Sequence, residues 1–354
     1  MPKRYNEVPF SGWTPPQYTV DEKGKVSGAV PSKVNNWGRW GEEDQIGTLN
    51  LVTPERIKRA AGLIRTGVRY SLGLPIGIPT AGGEGGHTAK GARRNLSRGY
   101  LLHFFGAVSG DAVLSNQRGM GAWMGGDDGN APKYHISDDF LVIALQHTTQ
   151  LDGFGMGIDD TIYNGYWAGL GTARSGLQRN GMHNRAEGIF GRAILLDVAN
   201  HLGVERLEDG FRIGPDLLLE VAQAEGLDIE AGDILLIRTG WMGWWFRDGA
   251  GGNQSIAPGI SSAAVPLLHE RDVVMVAFDN VASEVVGNVE PGFRPIEFHI
   301  NALRDLGLQV GEYFDLDDLA DACREDGVYE MFFAAAPLPV IGGAGSPLNP
   351  VAIK

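Results

Sequence analysis

The chain has 354 residues, 43% of them hydrophobic, enough to bury a large core in one big domain or two smaller ones. Its 43 acidic against 30 basic residues give a formal net charge of -13, which disfavours approach to nucleic-acid phosphates or an anionic membrane surface and leaves a small molecule as the expected partner. The single cysteine, Cys323, allows no intrachain disulfide and no C-x-x-C metal or redox pair, and fits a reducing compartment.

The first residues, Met1 to Glu7, carry basic side chains but lead into no apolar signal region, and runs such as Val273 to Phe278 are too short to span a bilayer, so the expected location is cytoplasmic. Residues 1–35 are rich in Pro, Gly and charge and predict an extended arm lying over the surface or a neighbouring subunit. No Pro- or Ser-rich linker interrupts 36–354, which predicts one domain.

Thr53 is a good N-cap and Pro54 a good first residue for a helix over Glu55–Ile64, with Ile57, Ala60, Ala61 and Ile64 on one face. Tyr70 to Pro79 reads as a strand. Gly82–Gly99 and Gly106–Lys133 read as Gly-rich loops; the first, Gly82-Gly83-Glu84-Gly85-Gly86-His87, lacks the lysine and spacing of a phosphate loop, and no nucleotide or organic cofactor is expected. Apolar, β-branched runs at Phe140–Leu145, Ala193–Val198, Asp233–Arg238 and Val273–Asp279 predict buried strands, and Tyr329–Ala335 another. Pro215–Glu225, Phe298–Leu306 and Leu316–Arg324 predict helices between them. Strands alternating with helices define an α/β fold with a central mixed sheet and flanking helices.

Chemistry concentrates after Phe140–Leu145, in Gln146-His147-Thr148-Thr149-Gln150-Leu151-Asp152-Gly153-Phe154-Gly155-Met156, where amide, imidazole, hydroxyl and carboxylate groups precede a Gly-x-Gly. Strand ends are the usual ligand sites of α/β folds. Each group has a structural alternative: Asp152 as a turn cap, His147 on the opposite strand face, His183 in Met182-His183-Asn184-Arg185 as a loop residue, His299 satisfying backbone groups, Glu312 as a surface acid. Ser175 and Ser346 lack the G-x-S-x-G context of a serine hydrolase. Trp241, Trp244, Trp245 and Phe246 suit packing or an aromatic pocket, and Arg93 and Arg94 suit a solvated loop or a carboxylate clamp.

The segment resembles the H-x-G-T-H-x-D-x-x-x-H motif of the cyclase family, which includes kynurenine formamidase and isatin hydrolase, aligned through Thr149 and Asp152. Trp37-Gly38, the Gly-Thr-Leu-Asn-Leu-Val-Thr-Pro-Glu stretch from Gly47, Tyr163-Asn164-Gly165, Leu195-Leu196-Asp197-Val198, Gly232 to Trp241 and Gly345-Ser346-Pro347-Leu348-Asn349-Pro350 extend the resemblance over residues 36 to 353. Gln146, Gln150 and Met156 stand where the family has histidines; Phe154 and Met156 are expected to wall the pocket.

The resemblance implies the swivelling β/β/α fold, a homodimer or homotetramer, and a metal site completed downstream by His299 and Glu312. Asp152, His299, Glu312 and the Gln150 carbonyl would offer three oxygens and one nitrogen to a divalent ion, Mn²⁺ or Mg²⁺ in preference to a closed Zn²⁺ site. The implied activity is hydrolysis of an amide, formamide, cyclic amide or lactone by activated-water attack on a carbonyl, with Asp152 activating water, Thr149 and Gln150 orienting the carbonyl, and His299, Glu312, His147 or His183 moving protons. Two other readings stay open: a metal-independent acid/base lyase, dehydratase or cyclase, and a non-catalytic small-molecule-binding homologue.

Overall fold

A computed structural model describes residues 17–75, 102–105, 139–146, 148–172, 174–247, 257–285, 292 and 296–354. The expected loops over 82–99 and 106–133, with Arg93 and Arg94, and the candidate His147 lie outside the described residues.

The frame is a nine-stranded mixed sheet built from β1 (Arg69–Ser71), β2 (Gln150–Asp152), β3 (Ile189–Asp197), β4 (Ile234–Arg238), β5 (Met275–Phe278), β6 (Gln309–Glu312), β7 (Glu330–Ala335), β8 (Gly345–Pro347) and β9 (Val351–Ile353), in the order β1-β9-β7-β3-β4-β5-β6-β2-β8. The four central strands β3, β4, β5 and β6 run parallel, and the flanking strands pair antiparallel.

Side chains alternate across these strands, so one apolar run feeds two cores. Ile194, Leu196, Leu235, Ile237, Val276 and Phe278 enter the larger cluster, under the helix Pro215–Ala224 and the segment from Phe298 to Leu306. Leu195, Ile234, Leu236, Met275 and Ala277 enter the other, under the helix Asp317–Asp326. Burial on both faces explains why these strands are apolar throughout instead of alternating. No helix among the described residues is long and apolar enough to cross a membrane.

Several expectations need correction. The helix expected to reach Ile64 is capped by the Thr53 hydroxyl and opened by Pro54 but stops at Ala61; only Ala60 on its predicted face is buried and Ile64 is exposed. Tyr70–Pro79 contributes only the strand Arg69–Ser71 within the described residues. The run Phe140–Leu145, expected as a buried strand of the sheet, forms Asp139–Val142, paired with Leu102–Phe105 outside the central sheet. In the N-terminal segment, Val26 N–H donates to Gly165 O (3.1 Å), and Gly24 O accepts from Trp167 N–H (2.9 Å), contacts that fit an arm lying over the surface.

Candidate active site

Within the polar segment expected at a strand's end, Gln150–Asp152 is itself a strand. In β2, Gln150 and Asp152 share one face while Leu151 turns to the opposite core, as the two-residue period requires. β2 pairs antiparallel with β6 so that Glu312 stands directly opposite Gln150 and one diagonal step from Asp152, on the same face. On β2's other side, Asp152 is in register with Gly345 of β8, where a Cβ would strike the Gln146 side chain 2.3 Å away.

His299 arrives from another direction. It ends a single α-helical turn, Glu297–His299, that opens on Ile296 in the left-handed region (φ 54°) and widens into a π-helix over Ile300–Leu306. Strained entries and π-helical turns gather at functional sites, where they set a side chain's aim against local preference. The helix expected over Phe298–Leu306 is thus present in altered form. It carries His299 Nε2 to 3.2 Å from Glu312 Oε1 and 3.6 Å from Asp152 Oδ2.

Asp152, His299 and Glu312 are buried, and each presents a ligand atom within 4.8 Å of the others. The Gln150 amide bridges the two acids: its Nε2 donates to Glu312 Oε2 (2.7 Å) and Asp152 Oδ1 (3.3 Å), leaving the buried Oε1 without a hydrogen-bond partner among the described residues. Ionised carboxylates only accept, so the NH₂ must face them. The Gln150 carbonyl expected as a ligand therefore points elsewhere in this arrangement.

The Thr149 hydroxyl donates to Tyr313 O (2.6 Å) and accepts from Leu74 N–H (2.8 Å), so it ties two backbone segments beside the site. His183 sits in a short 3₁₀ turn with Nδ1 accepting from Gly342 N–H (3.3 Å), and among the described residues no hydrogen bond joins it to the three converging groups. Phe154, expected to wall the pocket with Met156, is fully buried in the larger core and Met156 packs against that core. Trp241 and Trp245 are buried and stacked with ring centroids 5.6 Å apart, which is packing.

Two residues of the site's surroundings were not singled out from sequence. Glu284 accepts from His299 at Nδ1. Arg185, fully buried with its guanidinium 3.6 Å over the Phe154 ring, donates from Nη1 to Asp152 O (3.1 Å). Glu284 carried no sequence signal, and Arg185 lay in the very stretch quoted for His183.

Burial alone would depress the His299 pKa, but hydrogen bonds to Glu284 and Glu312 override it and raise the pKa to about 10. Burial lowers the Arg185 pKa to about 9, against the attraction of Tyr163, Asp152 and Asp44. Three carboxylates meet one imidazole here, and gathering acids in a buried site is costly unless protons or a cation balance them. One nitrogen and two carboxylate groups converging from three directions fit a divalent cation of the Mn²⁺, Mg²⁺ or Zn²⁺ type, and Asp152, His299 and Glu312 are the residues that would hold it.

A family model, "Putative cyclase", matches residues 88–285. The crystal structure of a novel cyclase superposes with a TM-score of 0.75 at 33% identity, over 91% of this chain and 100% of that one. The chain belongs to the cyclase family. An isatin hydrolase bound to the product analogue thioisatinate (16% identity, 84% of this chain and 95% of that one, TM-score 0.52) and isatin hydrolase A from Ralstonia solanacearum (18%, 85% and 98%, 0.52) share the fold. No curated protein sequence matches the chain.

Proposed function

We propose that the protein is a hydrolase that opens an amide, cyclic amide or lactone bond of a small ring-bearing substrate with the help of a divalent ion. The convergence of Asp152, His299 and Glu312 on one buried point carries this reading. A divalent ion held there supplies Lewis acidity toward a carbonyl and toward water. The chain's own part begins with Asp152, whose carboxylate is placed to accept a proton from attacking water. Gln150 keeps the two acids apart and fixed by donating to both. His299 would offer its Nε2 lone pair to that ion, and the proton taken up at Asp152 is the one available to the leaving nitrogen or oxygen. The isatin hydrolases that share the fold, one of them bound to the product analogue thioisatinate, support a small ring-bearing substrate.

A metal-independent acid/base reaction is the second reading, favoured by one observation: His299 bonds a carboxylate from each ring nitrogen, so an imidazolium would offset part of their charge. The two separate on protein purified without chelator, analysed for metals and assayed on cyclic amides, formamides and lactones before and after chelation. About one equivalent of ion with turnover that chelator abolishes and Mn²⁺, Mg²⁺ or Zn²⁺ restores supports the first. Ion-free protein with chelator-resistant turnover overturns it in favour of the second.

A further inference from the structure

We infer that Glu284 is a positioning residue, built into the fold to hold His299 so that Nε2 alone faces Asp152 and Glu312. The inference rests on the metal-assisted reading above and adds a residue to it.

An imidazole can present either nitrogen, and whichever nitrogen is hydrogen-bonded elsewhere decides which lone pair remains. Glu284 Oε1 engages His299 Nδ1, and Oε2 accepts from Phe298 N–H at 3.3 Å, so the carboxylate grips both the ring and the backbone that carries it. A carboxylate accepts only, so Nδ1 carries a proton toward Glu284, and an ion bound between Asp152 and Glu312 would take the Nε2 lone pair in place of the present Glu312 contact.

Glu284 itself is anchored with unusual care for a residue outside any strand. Ser283 before it adopts a left-handed conformation (φ 55°), with its N–H donating to Asn280 Oδ1 (2.8 Å). The Ser283 hydroxyl donates to Gly311 O (3.3 Å), the residue before Glu312, so the inner ligand and its outer support are tied to one strand. Ser283 O accepts from Ile260 N–H (2.8 Å), and Glu284 forms a parallel bridge with Ile260. A Cβ on Gly259 would lie 2.3 Å from the Glu284 carbonyl carbon, so that backbone approach exists only because residue 259 is glycine.

The test is Mn²⁺ titration of ion-free protein, followed by the electron paramagnetic resonance signal of free Mn²⁺, for wild type, Glu284→Gln and Gly259→Ala. Glutamine keeps the shape but can accept at only one end, and its NH₂ would then face Phe298 N–H or donate to Nδ1 and select the wrong tautomer. The Kd for Mn²⁺ should rise about 10–100-fold in Glu284→Gln, while the thermal midpoint of the ion-free protein stays near wild type. Gly259→Ala, which leaves both side chains intact and displaces Glu284, should weaken Mn²⁺ binding in the same direction. Wild-type affinity in Glu284→Gln overturns the inference and leaves the metal reading standing. A wild-type protein that binds no Mn²⁺ takes down the metal reading and this inference together.

Discussion

Two buried ionic clusters close strands of the same sheet, and they are built on opposite principles. At the ends of β3 and β4, Arg238 donates to Asp197 (2.9 Å) and Asp317 (2.8 Å), and Arg324 donates to the other Asp197 oxygen (2.8 Å) and pairs with the exposed Asp321, so each aspartate there has an arginine partner. Burial opposes the Arg238 charge, yet its acids raise its pKa further, so the cluster is locked in its ionised form. At the ends of β2 and β6, Asp152 and Glu312 share one histidine with Glu284. The balanced cluster holds elements together. The other gathers acids around one imidazole, where an ion or a reacting proton can use them.

Removing one member should therefore cost different things in the two places. Asp152→Ala should lower turnover by about 10²–10⁴-fold, the range for a positioned acid or base, with little change in thermal midpoint because a like charge leaves the interior. Near-wild-type turnover in that variant would sink the placement of the site. Arg238→Met should behave in reverse: about 3–5 kcal/mol of stability lost by chemical denaturation, since Asp197 and Asp317 each lose a buried partner, with turnover per folded molecule unchanged. A stable Arg238→Met that has lost activity would mean the comparison is drawn the wrong way round.

How much of this could be read from the residues follows the same divide. The central strands were legible because runs such as Ala193–Val198 and Asp233–Arg238 are apolar on both faces, which marks a strand covered on each side. The strand that matters most was not. Gln150-Leu151-Asp152 is three residues long with polar side chains pointing into a buried site, so hydropathy selected the neighbouring Phe140–Leu145, which lies outside the sheet. Asp152, His299 and Glu312 were legible through family resemblance, since 147 residues separate the first two and no local pattern links them. Glu284 was illegible because its meaning depends on a left-handed serine, a glycine contact and an irregular segment meeting in space.

A finer test of the balanced cluster uses the acid beside it. Glu225 Oε1 accepts from Asp197 N–H (2.9 Å), and burial first, then the Asp197 charge, pushes its pKa up to about 8 despite that bond. The folded pKa thus lies above the ordinary value of 4.5, and the folded state holds a proton that the unfolded chain releases. The resulting stabilisation is complete below about pH 4.5 and is lost as pH rises through about 8. Glu225→Gln keeps the acceptor and cannot ionise. Its stability should gain on wild type by about 1–2 kcal/mol between pH 5 and pH 9, read from denaturant midpoints, after allowance for partial exposure. Parallel pH profiles would show that Glu225 ionises normally and that a third acid is tolerated there.

The smallest effect tests the edge of the active cluster. His183 Nδ1 accepts from Gly342 N–H, and a Cβ on Gly181 would lie 2.7 Å from the His183 ring, so the imidazole is wedged between two loop backbones. Its surroundings are a clasp: Met182 N–H donates to Gly343 O (2.9 Å) and Leu177 N–H to Gly342 O (2.8 Å), both joining the same two loops. His183→Ala removes one of three hydrogen bonds in that clasp, with an expected stability loss of about 1 kcal/mol and unchanged turnover. A loss of turnover of about 10²-fold, with the thermal midpoint held, would instead make His183 a proton carrier and move the boundary of the site across the loop.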